Sequence, residues 1–191
     1  MNTQSVNDYA FSLRNIDECT ELTINKIDVN GEILSVDLND LYKFPNLEIL
    51  SLCNMTIGEN DMVILCSLPK LKTLKLYNCD FSNDNLYLYF NNFSIEKLLI
   101  DNTEIDFNLI KKKFDVVTAR NVAQIYGINC YELNICKANS VDFNKIEIEK
   151  YNKIIISKSQ YLHNQNLLKN NSNVELLVVD DYYNEIGDTD D

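Results

Sequence analysis

A chain of 191 residues with a formal net charge of −12 is long enough for one domain and short for two. That acidity argues against nucleic acid, whose recognition leans on many Lys and Arg contacts to phosphate, and against an anionic membrane surface. A hydrophobic content of 46% excludes wholesale disorder, and 4 glycines with 2 prolines are few for a fold of many tight hairpins.

The first residues, Met1 to Asp8, lack the basic and apolar segments of a secretory leader. No apolar run approaches the roughly 20 residues of a membrane span. The cytoplasm, of the producing cell or of a host, is the expected compartment. Tyr9, Phe11, Leu13 and Ile16 make residues 1–18 the expected N-terminal cap of the domain.

From Cys19 onward an apolar pattern recurs. Cys19, Leu22, Ile24 and Val29 form a first copy. The clearest copies are Leu47, Leu50, Leu52, Ile57, then Leu71, Leu74, Leu76, Phe81, then Ile95, Leu98, Ile100, Ile105. Each has apolar residues at positions one, four, six and eleven, and successive copies lie 24 residues apart (74 − 50 and 98 − 74). Alternation at positions four and six predicts a short strand with those residues buried. Residues 58–65, stopping before Pro69, and residues 82–90 predict short helices between the strands. Residues 106–114 predict a third, with Asp106 at its start and Lys111, Lys112 and Lys113 at its end, where the helix dipole favours them.

A weaker copy at Phe114, Val117 and Ala119 has a register open by one residue. Further copies are Cys130, Leu133, Ile135, then Tyr151, Ile154, Ile156, Tyr161, then Val174, Leu177, Val179. Their connections are shorter or less regular and read as loops. Asn recurs at position eight, in Asn54, Asn78, Asn102 and Asn121, where it suits a left-handed turn backbone.

This pattern resembles the leucine-rich repeat, L-x-x-L-x-L-x-x-N/C-x-L, over about eight copies. The resemblance implies an α/β solenoid: a curved parallel β-sheet with short helices or loops on the convex side, spanning residues 19–182, followed by an acidic C-terminal tail at residues 183–191. Position nine departs from the family, since Ile27, Met55, Ala138 and Tyr182 stand where Asn or Cys is usual. The hydrogen-bonding ladder of the turn is therefore expected to be weakened, with Cys79, Thr103 and Ser159 the best fits.

No constellation of catalytic chemistry emerges. Gly31, Gly58, Gly127 and Gly187 are isolated, so no phosphate-binding loop is formed. His163 is the one histidine and has no nucleophile motif beside it. Cys53, Cys66 and Cys79 are evenly spaced, but as a strand residue, a connector residue and a turn residue they do not converge on zinc. Neither an enzyme activity nor a cofactor nor a metal is expected, and all six cysteines read as free thiols.

The fold resemblance implies a module that binds another protein on its concave sheet face, as an adaptor or as an effector made by a pathogen or a virus. A structural, self-assembling role is the alternative, and regulation of an enzyme such as a GTPase a more distant one. The candidate binding residues are Ile49, Ser51, Lys75, Tyr77, Lys97, Leu99, Asp101, Lys153, Ile155 and Val178, at the outward positions of the strands. Cys53, Thr73, Glu132, Asn134, Lys137, Lys158 and Leu176 share those positions. Exposed apolar side chains and tyrosine are the features that favour a contact site there.

Overall fold

The computed structural model describes residues 3–6, 16–26, 38–139, 141–169, 171 and 173–181. Its elements in chain order are β1 (Thr3–Val6), β2 (Glu21–Asn25), β3 (Ile49–Cys53), β4 (Thr56–Ile57), α1 (Glu59–Ser67), β5 (Thr73–Tyr77), β6 (Asp80–Phe81), β7 (Lys97–Asp101), β8 (Phe114–Arg120), β9 (Cys130–Lys137), β10 (Lys153–Ser157), α2 (Lys158–Leu168) and β11 (Glu175–Val179). Short 3-10 turns fill most of the remaining connections.

Nine strands form one parallel sheet in the order β1-β2-β3-β5-β7-β8-β9-β10-β11, so each strand lies beside the next one in the chain. The two-residue strands β4 and β6 pair with each other in a separate small sheet. The pairing follows from the apolar pattern. Shifting a strand by one residue would turn its apolar set to water, so register is tightly specified where alternation is clean. Leu22, Leu50, Leu74, Leu98, Val117, Leu133, Ile154 and Leu176 form one continuous row across eight strands. By subtraction, the steps along that row are 28, 24, 24, 19, 16, 21 and 22 residues. The expected core residues Leu50, Leu52, Leu74, Leu76, Leu98 and Ile100 are buried in adjacent parallel strands. The weak copy takes the register with Val117 beside Leu98 and Ala119 beside Ile100.

The connecting segments close the core from behind with Phe44, Met62, Leu65, Phe90, Phe107, Ile128 and Phe143. Helix α1 begins at Gly58, whose N–H donates to Asp61 Oδ2 at 2.8 Å, and ends before Pro69 as expected. Asn54, Asn78, Asn102 and Asn121 all have positive φ, at 57°, 51°, 47° and 50°. The left-handed turn expected at position eight is thus present in each, in a region that Asn tolerates better than other side-chain-bearing residues.

The segment expected as a cap contains a strand, β1, which pairs with β2; residues 7–15 and the tail at 183–191 lie outside the described residues. Three expectations need correction. Residues 106–114 do not form a helix. Only Phe107–Leu109 turns, as a 3-10 segment capped by the Asp106 side chain on Asn108 N–H at 3.0 Å. Ile110 and Phe114, four apart, are both buried at the ends of a non-helical stretch. The connection after β10 is an 11-residue helix, α2, where a loop was expected. Ser157 and Gln160 cap it reciprocally, a Ser-x-x-Gln signature readable in the sequence. Ser159 and Tyr161 are therefore helical residues, not turn residues. Finally, β11 is displaced by one residue from the expected register. Leu176 pairs with Ile154 and Val178 with Ile156, so Leu177 takes the outward position.

Candidate functional site

The outward face of the sheet is built from three register-locked rows. The first runs Glu21, Ile49, Thr73, Lys97, Val116, Glu132, Lys153, Glu175. The second runs Thr23, Ser51, Lys75, Leu99, Thr118, Asn134, Ile155, Leu177. The third runs Asn25, Cys53, Tyr77, Asp101, Arg120, Lys137. A bulge in β9 adds a residue between Asn134 and Lys137, which brings Lys137 rather than Cys136 opposite Arg120.

Of the expected binding residues, Ile49, Ser51, Lys75, Tyr77, Lys97, Leu99 and Asp101 come together on the adjacent strands β3, β5 and β7. Lys153 and Ile155 share the face on β10, with β8 and β9 intervening. Val178 does not belong to this face. Its register with Ile156 puts it in a core row, although it is 38% exposed while its neighbour Val179 is buried. Leu176 leaves the face for the same reason. Lys158 is the first residue of α2, where it pairs with Asp180 at 3.9 Å. Residues missing from the sequence-derived set include Glu21, Val116, Thr118 and Arg120. The registers of the first and weak copies carried the signal for them.

Charge on this face is organised in cross-strand pairs. Lys75 on β5 reaches over β3 to Glu21 on β2 at 3.5 Å. Ser51 lies in the strand between them and is buried, at 4% exposure, although it points outward. Lys153 sits between Glu132 at 3.5 Å and Glu175 at 3.8 Å. The three rows hold five cations (Lys75, Lys97, Arg120, Lys137, Lys153) and four carboxylates (Glu21, Asp101, Glu132, Glu175), against −12 for the whole chain. The face is therefore near neutral, and the excess acidity resides elsewhere. Its apolar members Ile49, Tyr77, Leu99 and Ile155 are half-buried by their neighbours, less exposed than their outward positions implied.

The rim of this face is a chain of side-chain amides. Asn54 Nδ2 donates to Asn25 Oδ1 at 2.9 Å, Asn78 to Asn54 at 2.7 Å, and Asn102 to Asn78 at 2.7 Å. The series ends at Asn121, which donates instead to Asp101 Oδ1 at 2.7 Å. Just inside, at position nine, Thr103 Oγ1 accepts from Cys79 N–H at 3.0 Å, and the Cys79 thiol donates to Leu52 O at 3.3 Å. The turn thus has hydrogen bonds at Cys79 and Thr103, two of the three position-nine residues that fit the repeat.

Away from the sheet face, a cleft of about 560 Å³ is lined by residues 125–129 and 145–147 together with Lys150 and Tyr151, with Lys145 Nζ 5.0 Å from the Tyr126 ring. Its lining contains no His or Cys. His163 sits on α2 with Nδ1 2.7 Å from Ser159 O. All six cysteines are free thiols. Burial pushes Cys53 and Cys66 up to about 11 and Cys130 up to about 12, the opposite of an activated nucleophile. Among the described residues no group of three or more His, Cys, Asp or Glu is placed to hold a metal, and no helix is long and apolar enough to cross a membrane.

Comparison of the chain with protein-family models, with curated proteins and with solved structures found no match.

Proposed function

We propose that the chain is a leucine-rich-repeat solenoid that binds a partner protein on the open face of its sheet. The observation that supports this is the set of three register-locked rows. They hold Ile49, Lys75, Tyr77, Lys97, Leu99 and Asp101 at fixed spacing on three adjacent strands, near neutral in a strongly acidic chain. Strands roughly 4.8 Å apart present a rigid array, which lowers the entropy lost on association. Tyr77 and Leu99 supply the aromatic and aliphatic anchors, and the ion pairs Lys75–Glu21 and Lys153–Glu132 frame them.

The test is site-specific photocrosslinking in the native cell. A photoreactive residue at position 99 should capture a defined partner band, and one at Leu88, exposed on the connector side, should not. Tyr77→Ala should abolish the capture while a circular dichroism melt shows the variant still folded. Capture from position 88 with none from position 99 would move the site to the other side of the molecule.

A second reading, self-assembly, draws on β11. Leu177 and Val178 on this last described strand are 41% and 38% exposed, and a strand edge with such residues invites pairing. A concentration-dependent mass in analytical ultracentrifugation, abolished by Leu177→Lys, is the result that reading requires.

A further inference from the structure

We infer that Lys111, Lys112 and Lys113, with Tyr131, form a docking site for an acidic polypeptide segment. The first support is the loss of the reason that the sequence offered for three adjacent lysines. A helix C-terminus would have favoured them, but the turn ends at Leu109 and the lysines lie beyond it in a non-helical stretch. With no helix end beside them, the three adjacent like charges are not explained by the local backbone.

The second support is adjacency. Lys43, Lys72, Lys75, Lys145, Lys150, Lys153 and Lys158 each pair with a carboxylate. Among the described residues no carboxylate lies within ion-pair distance of Lys111, Lys112 or Lys113, in a chain where acids outnumber bases 29 to 17. Lys26, Lys70, Lys97, Lys137 and Lys169 also have no carboxylate partner among the described residues, but each stands singly in the sequence, whereas three such lysines lie side by side at 111–113. Lys113 instead lies over the Tyr131 ring, its Nζ 3.6 Å from the centroid, and that residue is 49% exposed.

The third support is that the segment is held in place. Asn91 Oδ1 accepts from the N–H of Lys111 at 2.7 Å and of Lys112 at 3.0 Å. Asn129 Nδ2 donates to Lys111 O at 3.2 Å, and its carbonyl accepts from Phe114 N–H at 2.9 Å. With Ile110 and Phe114 buried on either side, the three lysines are carried on a fixed backbone, Lys112 with its Nζ 5.8 Å from the Phe114 ring centroid and Lys113 against Tyr131. Fixed cations with an adjacent tyrosine match a run of Asp or Glu carrying an apolar or aromatic residue.

This surface lies at the entry edge of β8 and β9, so its test is independent of the crosslinking at position 99. The probe is a fluorescein-labelled peptide of alternating Glu and Tyr, followed by fluorescence anisotropy with the whole chain. A Gln-for-Glu peptide, a single-stranded oligonucleotide and phosphatidylserine vesicles are run beside it. One exposed ion pair contributes little, but three acting together should amount to about a tenfold effect on Kd. Lys111→Ala, Lys112→Ala and Lys113→Ala combined should therefore weaken the Glu/Tyr peptide about tenfold, and Tyr131→Ala should weaken it less. The combination of Lys43→Ala, Lys70→Ala and Lys169→Ala, equal in charge and all exposed, should change it by less than about twofold. Equal loss in both triple variants would reduce the effect to net charge and overturn the site. So would the absence of peptide binding, or tighter binding of the oligonucleotide or vesicles through the same three lysines. Circular dichroism melts of each variant separate a lost contact from a lost fold.

Discussion

Asn78 donates its side-chain amide to Asn54 Oδ1 at 2.7 Å across 24 residues of chain, and both residues occupy the left-handed region of backbone space. The same asparagine thus meets two demands, a backbone that few side chains tolerate and an amide that links neighbouring turns. Substitution separates them. Asn78→Gly keeps the backbone and loses the amide, whereas Asn78→Ala loses both. Alanine in the left-handed region costs about 1–2 kcal/mol, so in a urea titration Asn78→Ala should be the less stable by about 1 kcal/mol or more. Equal midpoints would leave the amide as the whole contribution.

Thr103 offers a sharper contrast because its hydroxyl is buried, at 1% exposure, and accepts from the Cys79 N–H. Thr103→Val keeps the shape and strands that donor. An unsatisfied buried group costs about 1–3 kcal/mol, and Thr103→Ser should recover most of it. Chemical denaturation of the two variants reads the difference directly.

Leu76 is fully buried in β5, between Leu52 and Ile100. Leu76→Ala should cost about 2–5 kcal/mol. Lys97→Ala, on an exposed position of the next strand, should stay within about 0.5 kcal/mol. A small loss at Leu76 would contradict its place in the core row.

The thiols make the stability pH-dependent at the alkaline end. Burial raises Cys53 and Cys66 to about 11 and Cys130 to about 12, above the ordinary value of 9.0. Between those limits the unfolded chain releases thiol protons that the folded chain retains. Fewer protons bound in the unfolded state make stability fall as pH rises. Stability should thus be full below about pH 8.5 and decline towards pH 11–12. At pH 8, a thiol near 11 is ionised to about one part in a thousand, so alkylation of Cys53 should be slow in the native protein and fast in urea. Intact-mass spectrometry after timed alkylation, without reductant, counts both the free thiols and their rates.

How much of the fold is legible in the sequence depends on the local pattern. Around Leu50, Leu74 and Leu98, the apolar residues at positions one, four, six and eleven recur at a constant step of 24, and that repetition makes the strands, their order and their buried faces readable even where Ile49 and Leu99 break the alternation. Around Leu176, Leu177, Val178 and Val179 four apolar residues run together. Period-two alternation is lost there, and the pairing with Ile154 and Ile156 fixes the register. Ile110 and Phe114 mislead for a related reason. A spacing of four looks helical, but both are anchors of a stretch held by Asn91 and Asn129, residues distant enough in sequence to be invisible in a local window. Helix α2 is the opposite case, since its Ser157–Gln160 signature is present but embedded in a polar composition with little periodicity.

The placement of the candidate binding residues is legible at the level of faces and not of exposure. Alternation puts Tyr77 and Leu99 on the outward side, where the pairing has them. Their half-burial is not readable, because it comes from cross-strand neighbours such as Lys75, whose reach to Glu21 depends on a partner two strands away.

The chain-order sheet also sets how the molecule should yield to force. Among the described residues each strand of the large sheet pairs its backbone only with its immediate predecessor and successor, so a tether on one end loads the strands one at a time. Each rupture releases the chain between two paired rows. A 24-residue step such as Leu50 to Leu74 frees a contour of about 80 Å, and the 16-residue step from Val117 to Leu133 only about 55 Å. The uneven steps from 28 down to 16 residues would then be written in an optical-tweezers trace as a series of unequal lengthenings, in the order in which the strands were laid down.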